Sequence, residues 1–511
     1  MILDNDECPP AGCRRDQTEP MEKKGFTMRL RLAIATLALL AGAASSYADA
    51  PGDVAAQERF CALCDAKHRA YEAVPWLEWG MDVRLREVFA PNLLLDREDR
   101  HFQRYRLRAW TGIKPVDNLR FDLRLVYEPR HFCQPAREAR TRNAYYIDEW
   151  TLSEAIFDRA SVTWSKAMGL PLTVTVGRQD IIFGNGWLVL DGTPLDGSRT
   201  IFFDAIRATY DAKEIQTTFD VIYICQQADS DQQWFAPFCD KDFHNMEQDE
   251  KGVILYATNK SLDKTQIDGY FIYKHDDADI GTEFPENEVA PWQMGKNSDI
   301  FAIGARVVHA FDDHWKLRAE FAQEVGHKED FEFIPNQGYG YVGHRLCAFG
   351  FNSLLSYDFK DAMANHCHVG YEYLSGDKNS SGKNEQFDQL WGRWPQWSEL
   401  YVYAAALENR PGEVVNHHRI NLGWSCSPME DLSVLANYNL VFTDKNSFSE
   451  RGYFSDSGCL KGQNLTGLVK YRFDEHWSTH VYAELFFPGD YYDDSRNETA
   501  GFFRWEVMFT W

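Results

Sequence analysis

Apolar and polar side chains alternate one by one in the last eleven residues of the chain, 501–511. In an extended strand successive side chains point to opposite sides, so five large apolar groups share one face and Arg504 and Glu506 share the other. Such a strand needs lipid or a core on one side and water on the other. The apolar face is formed by Phe503, Trp505, Val507, Phe509 and Trp511.

The same period-two pattern recurs along most of the chain, as in 79–86, 104–109, 119–125, 315–324 and 465–473. Repeated alternation with charges on the wet face predicts an all-β fold, a transmembrane antiparallel up-and-down β-barrel of the bacterial outer-membrane type with about 18 strands. Short turns and long polar loops alternate between the predicted strands. The pattern predicts strands at 314–325 and 348–359, and it assigns 400–406 to a loop or a local extra strand.

The amino-terminal region predicts export. Arg29 and Arg31 precede an apolar run over 32–44, and small residues follow up to Ala50, which is the layout of a secretory signal peptide. We expect translation to start at Met28 and cleavage to follow Ala50. The predicted organisation is a leader over 1–50, a short periplasmic segment over 51–75 and a barrel domain over 76–511, located in the bacterial outer membrane.

Composition agrees with this prediction. Aromatic residues make up 14% of the 511 residues, which suits the aromatic girdles of a barrel. The formal net charge of −24 argues against a nucleic-acid partner. We expect contact with outer-membrane lipid, and recognition of the carboxy-terminal Trp511 by the barrel-assembly machinery.

Two segments resemble the alginate-export family of outer-membrane porins. The first is Gly177-Arg178-Gln179 with the strand Asp204-Ala205-Ile206-Arg207, and the second is 373–377 with 382–388. The resemblance implies a monomeric 18-stranded barrel with an arginine-rich pore that passes an anionic uronic-acid polymer. Periplasmic export partners are a further expectation.

The polar faces of the predicted strands carry more cations than anions. Arginine suits an anion pathway because its planar fork holds a carboxylate in two hydrogen bonds and stays charged. The sequence therefore predicts an anion-favouring lumen, although opposite charges on neighbouring strands also pair simply to fill a water-lined wall. The predicted pore-lining residues are Arg84, Arg86, Arg104, Arg106, Arg108, Arg120, Arg124, Arg207, Arg306, Arg318, Arg419 and Arg472.

Three functions remain open for such a barrel. The first is a channel for an anionic polysaccharide or oligosaccharide of the alginate type. The second is a general or substrate-specific uptake porin for small anions or sugars. The third is a barrel enzyme such as a lipase, but no serine stands in a Gly-x-Ser-x-Gly motif, so we expect no enzymatic activity and no catalytic residue.

The loop over 376–388 matches a calcium-loop template, which predicts a structural calcium and no other cofactor. The alternative is a solvated external loop. The segment 180–202 is long and rich in glycine, and it either folds into the barrel as a constriction or remains outside. The predicted calcium ligands are Asp377, Asn379, Ser381, Lys383, Glu385 and Asp388.

Overall fold

In a computed structural model, eighteen antiparallel strands within the described part of the chain form one closed barrel. The structure describes residues 69, 71–134, 138–139, 146–147, 150–151, 155–190, 202–227, 248–277, 296–334, 338–378, 382–409 and 412–511. The predicted leader and its cleavage site lie outside these residues. Over the described residues, no helix is long and apolar enough to cross a bilayer.

Each strand pairs with its neighbour along the chain, and the last strand pairs with the first, Val83 lying opposite Phe509. The barrel strands are β1 (Leu77–Pro91), β2 (Asp99–Val116), β3 (Leu119–Tyr127), β4 (Ile156–Trp164), β5 (Leu172–Gln179), β6 (Phe203–Ala212), β7 (Thr217–Gln226), β8 (Asp249–Leu262), β9 (Thr265–Asp277), β10 (Ser298–Ala310), β11 (Trp315–Ile334), β12 (Gly338–Asp358), β13 (His366–Leu374), β14 (His417–Met429), β15 (Leu432–Thr443), β16 (Leu460–Arg472), β17 (Trp477–Pro488) and β18 (Ala500–Thr510). Short strands at Arg130–Gln134, Glu138–Ala139, Tyr146–Ile147 and Trp150–Thr151 lie between β3 and β4.

Alternation along each strand separates an apolar exterior from a polar interior. In β1, Leu85 is 51% exposed whereas the neighbouring Arg84 is 1% exposed. In β10, Ile303 is 62% exposed and Ala302 is buried. An outer wall of exposed apolar side chains suits a lipid environment. The predicted fold class is therefore confirmed.

Two local features differ from the sequence prediction. The strands predicted at 314–325 and 348–359 continue as one long hairpin, β11 and β12, in which Lys328 pairs with His344. Charged residues and glycines interrupt the apolar alternation there, although backbone pairing continues. The stretch 400–406 is not an extra strand but contains a short helix, α1 (Tyr401–Ala405), with four of its five residues buried.

Two of the long loops fold into the barrel. In the segment 180–190, Ile181, Leu188 and Val189 are buried in a cluster with inward residues of β6 to β13. Helix α1 belongs to the long loop 375–416 and packs against a second cluster that includes Phe486 and Tyr491. The described part of 180–202 therefore lies inside the barrel, while 191–201 lies outside the described residues.

Candidate solute-binding site in the lumen

A cavity of about 620 Å³ lies inside the barrel next to β1, β2 and β15 to β18. It extends to the short turn between β14 and β15, where Glu430 and Asp431 line it. Short turns mark the periplasmic end of bacterial barrels, so the cavity faces that end. Basic side chains dominate its wall, namely Arg84, Arg86, Arg106, Arg108, Arg504 and Lys470, with Arg472 at the turn end.

The strand register brings these arginines together. Arg84 lies directly opposite Arg106 across β1 and β2, and Arg86 lies directly opposite Arg104. Like charges in directly opposite positions destabilise a sheet. The barrel therefore keeps several arginines close together, although the repulsion between those on neighbouring strands destabilises the sheet.

Wall carboxylates partly compensate this charge. Glu128 accepts a hydrogen bond of 2.9 Å from Arg104 Nε and lies 3.2 Å from Arg84 Nη2. Glu506 lies 2.6 Å from Arg86 Nη2. On the turn side, Arg106 Nε and Arg108 Nε donate to the two oxygens of Asp82 at 3.0 and 2.6 Å.

One further carboxylate comes from a loop instead of the wall. Glu399, in the infolded loop 375–416, pairs with Arg504, whose side chain is 1% exposed. Burial favours a higher pKa for Glu399, but the charges of Arg504 and Arg86 outweigh it, so the pKa of Glu399 lies below its ordinary value. The carboxyl group is therefore ionised at neutral pH.

The infolded loops contact one another across the lumen. Trp187 stacks on Phe387 at a ring-centroid distance of 5.5 Å. Val189 and Trp391 form a parallel bridge, and Trp391 N donates to Leu188 O at 3.0 Å. These contacts join the segment 180–190 to the loop 375–416, so the two loops narrow the lumen together.

The structure places all twelve predicted arginines at lumen-facing positions of the alternation, but it does not bring them into one site. Arg84, Arg86, Arg106, Arg108 and Arg472 line the cavity, and Arg104 lies beside it. The remaining six are distributed around the barrel. A role in solute passage stays a prediction for all of them.

Most of the remaining arginines are held by carboxylates. Arg120 pairs with Glu78 and Asp122, Arg124 with Asp158 and Asp180, Arg207 with Asp220, Arg306 with Asp268 and Arg419 with Glu372. By contrast, Arg318 Nε is buried and has no hydrogen-bond partner among the described residues.

The predicted calcium loop is only partly described, because Asn379 and Ser381 lie outside the described residues. Asp388 contacts Lys328 Nζ at 2.5 Å and is 2% exposed. Asp377 accepts a hydrogen bond of 2.8 Å from the backbone of Glu385. Among the described residues no group of three or more acidic, histidine or cysteine side chains is arranged to hold a metal ion, so calcium stays an untested prediction.

Glu128, Asp180 and Glu399, which pair with arginines of the wall, were not predicted from the sequence. Arg504 and Lys470 lie on polar faces of predicted strands, so the alternation signalled them. Glu128 and Asp180 lie just beyond strand ends, and Glu399 lies in a loop. Outside strands, the alternation of apolar and polar residues does not predict which way a side chain points. The positions of these carboxylates depend on pairing between segments far apart in the chain.

Comparison with known proteins agrees with this architecture. A family model described as alginate export matches residues 76–504, more than four fifths of the chain. No curated protein sequence matches significantly. Among solved structures, OccAB2 of Acinetobacter baumannii is similar with a TM-score of 0.51 and 9% identity, over 85% of this chain and 98% of that chain. OccK8 (OprE) of Pseudomonas aeruginosa is similar with a TM-score of 0.49 and 10% identity, over 85% and 98%. At such identities the likeness concerns the fold alone.

Proposed function

Because this chain belongs to the alginate export family of outer-membrane porins, we propose that it passes carboxylate-bearing saccharides of the alginate type through its arginine-lined lumen. The protein is an outer-membrane channel. The observation that supports passage of carboxylate-bearing saccharides is the cavity in which Arg84 faces Arg106 across two strands, with Arg108 and Lys470 beside them. Such a cavity attracts anions from the periplasmic end.

The chemistry of the wall suits a polymer or oligomer of sugar acids. Each guanidinium offers a planar fork to a carboxylate, and it remains charged at every relevant pH. Wall carboxylates such as Glu128 and Glu506 already share these arginines, so each contact with a solute is weak. Conduction requires this balance, because a solute that binds too tightly at one position does not leave.

The infolded loops favour a second candidate, an uptake porin for small anions or sugars. The contacts of Trp187 with Phe387 and of Val189 with Trp391 narrow the lumen. A narrow lumen admits a mono- or disaccharide more readily than a hydrated polymer. We also propose that the barrel has no enzymatic activity, which an assay of lipid hydrolysis by the purified protein tests.

The deciding experiment is the zero-current potential of the purified protein in a planar bilayer under a salt gradient. Anion selectivity, with current block by uronic-acid oligomers, supports the channel for anionic saccharides. Block by monomeric uronic acids but not by longer oligomers supports the small-solute porin. Cation selectivity without any block overturns the proposal for anionic solutes of either size, and it leaves the barrel and its location unchanged.

A further inference from the structure

Helix α1 enters the lumen with its first turn held by the wall. The backbone amides of Glu399 and Leu400 donate to Glu484 Oε2 at 3.1 and 3.2 Å. Ser398 Oγ donates to the other oxygen of Glu484 and accepts from Tyr401 N at 2.7 Å. A carboxylate at this place satisfies amides that a helix leaves without partners at its amino-terminal end.

The side chain of Glu399 takes no part in this anchoring. Its carboxylate points to the arginines and pairs with Arg504 Nη1, and its side chain remains 16% exposed. Arg504 in turn lines the cavity together with Arg86. Glu484 therefore holds the backbone of the loop in place. Glu399 supplies the negative charge that the loop brings to the arginines.

This separation has a consequence for solute binding. A rotation of the Glu399 side chain frees Arg504 Nη1 without moving the loop, because Glu484 and Ser398 continue to hold the backbone while Arg504 Nε keeps its contact with His480. The group that leaves is a carboxylate, which is the group that a sugar acid would bring. An exchange of one carboxylate for another keeps Arg504 compensated throughout, so no buried charge is left alone.

We propose that Glu399 is a specificity-determining residue that occupies Arg504 in the resting channel and is displaced by a carboxylate of the passing solute. The inference rests on the proposed function, since it assigns the site to carboxylate-bearing saccharides. A resident competitor of this kind lowers the affinity of the cluster for any single anion. It also favours solutes with a carboxylate over neutral sugars, which have no group to exchange.

Glu399→Gln tests this role, because glutamine keeps the size of the side chain and removes its charge. The matched control is Glu450→Gln, which removes one exposed carboxylate from the loop between β15 and β16. Folding is checked for each variant by the heat-dependent mobility of the barrel on gels. The probes are galacturonate oligomers as the charged solute and neutral maltose oligomers as the reference, both measured by block of single-channel current.

The expected result is tighter block of Glu399→Gln by galacturonate, by roughly tenfold, since one charge-assisted hydrogen bond no longer competes. Block by maltose oligomers and the behaviour of Glu450→Gln remain unchanged. Glu399→Asp, which keeps the charge on a shorter side chain, should lie between wild type and Glu399→Gln. An unchanged or weaker galacturonate block in folded Glu399→Gln overturns the proposal, and so does an equal gain for maltose.

The two proposals fail differently. If wild-type protein shows neither anion selectivity nor block by uronic acids, the proposed function fails and the role of Glu399 fails with it. If wild type shows both properties and Glu399→Gln binds galacturonate as wild type does, only the role of Glu399 is lost.

Discussion

Arg108 and Lys470 reach the open lumen further than the buried Arg84, Arg86, Arg106 and Arg504, whereas Arg472 is exposed at the turn and pairs with Asp431. Arg106 shares Asp82 with Arg108, but Arg106 is nearly fully buried whereas the Arg108 side chain is 26% exposed. Lys470 is exposed and lines the same cavity. Exposed charges in a water-filled pore act on passing ions, whereas buried pairs mainly hold the wall together. Selectivity should therefore depend more on Arg108 and Lys470 than on Arg106.

The double variant Arg108→Gln, Lys470→Gln tests this expectation and leaves the ion pair between Arg106 and Asp82 in place. We expect the anion-to-cation permeability ratio at low salt to fall roughly fivefold, because one charge about 4 Å away in water is worth about 1 kcal/mol. The zero-current potential measures the ratio. The control, Arg97→Gln with Lys213→Gln, removes two exposed cations outside the cavity. An equal loss in the control would attribute the effect to net charge alone.

Acid should weaken the contact between the loop 375–416 and the wall. The pKa of Glu399 is lowered in the folded protein from an ordinary value of 4.5, so Glu399 contributes stability that is present above pH 4.5 and is lost as the pH falls through the folded-state pKa. The thermal-midpoint difference between wild type and Glu399→Gln should therefore shrink below pH 4.5. A difference that is constant with pH would contradict the assignment, and Glu450→Gln provides the baseline.

At the scale of elements, the narrow lumen depends on contacts between loops and one extended hairpin. Lys328 in β11 lies 2.5 Å from Asp388 and 3.6 Å from Glu413, both in the loop 375–416. Asn384 of the same loop forms a parallel bridge with Leu346 in β12. The extension of β11 and β12 beyond the predicted strands thus supplies a support on which the infolded loop rests.

Gly392 should control the spacing between the two infolded loops. A Cβ atom at this position would overlap the backbone carbonyl of Trp187, which cannot move without shifting the segment 180–190. We expect Gly392→Ala to separate the loops and raise the single-channel conductance, with a lower thermal midpoint. The control is Gly467→Ala in β16, where a Cβ meets nothing within 4 Å. Equal conductance in both variants would show that these loops do not set the constriction.

At the scale of the whole molecule, the strand connections define which end of the barrel faces which compartment. Turns such as the one between β8 and β9 are two residues long, whereas the connections at the other end are mostly long. In bacterial barrels the short turns lie in the periplasm and the long loops outside the cell. The cavity at the short-turn end therefore opens towards the periplasm.

Epitope insertion tests this orientation. A tag in the loop between β15 and β16, at Gly452, should bind antibody on intact cells. A tag between Asp263 and Lys264 should bind only after the outer membrane is permeabilised, because the membrane shields that turn. Detection of both tags on intact cells, with a periplasmic marker still protected, would refute the orientation.

The sequence by itself determined the barrel, its strand order and the side of the wall on which each strand places its charges. Period two is a local property, so residues such as Arg84 and Arg106 could be assigned to the polar face without knowledge of their neighbours. The same locality explains the misplaced ends of β11 and β12, where backbone pairing continues although the apolar alternation is lost.

Only the tertiary structure decided which of these charges remain available to a solute. Arg124 is less available than its position on the polar face suggests, because Asp158 and Asp180 pair with it. Arg504 became a central residue of the site because Glu399 contacts it from a loop more than 100 positions away in the chain. Such contacts depend on the curvature of the closed sheet and on where the loops settle within it. These are long-range packing outcomes, and no periodicity along the chain records them.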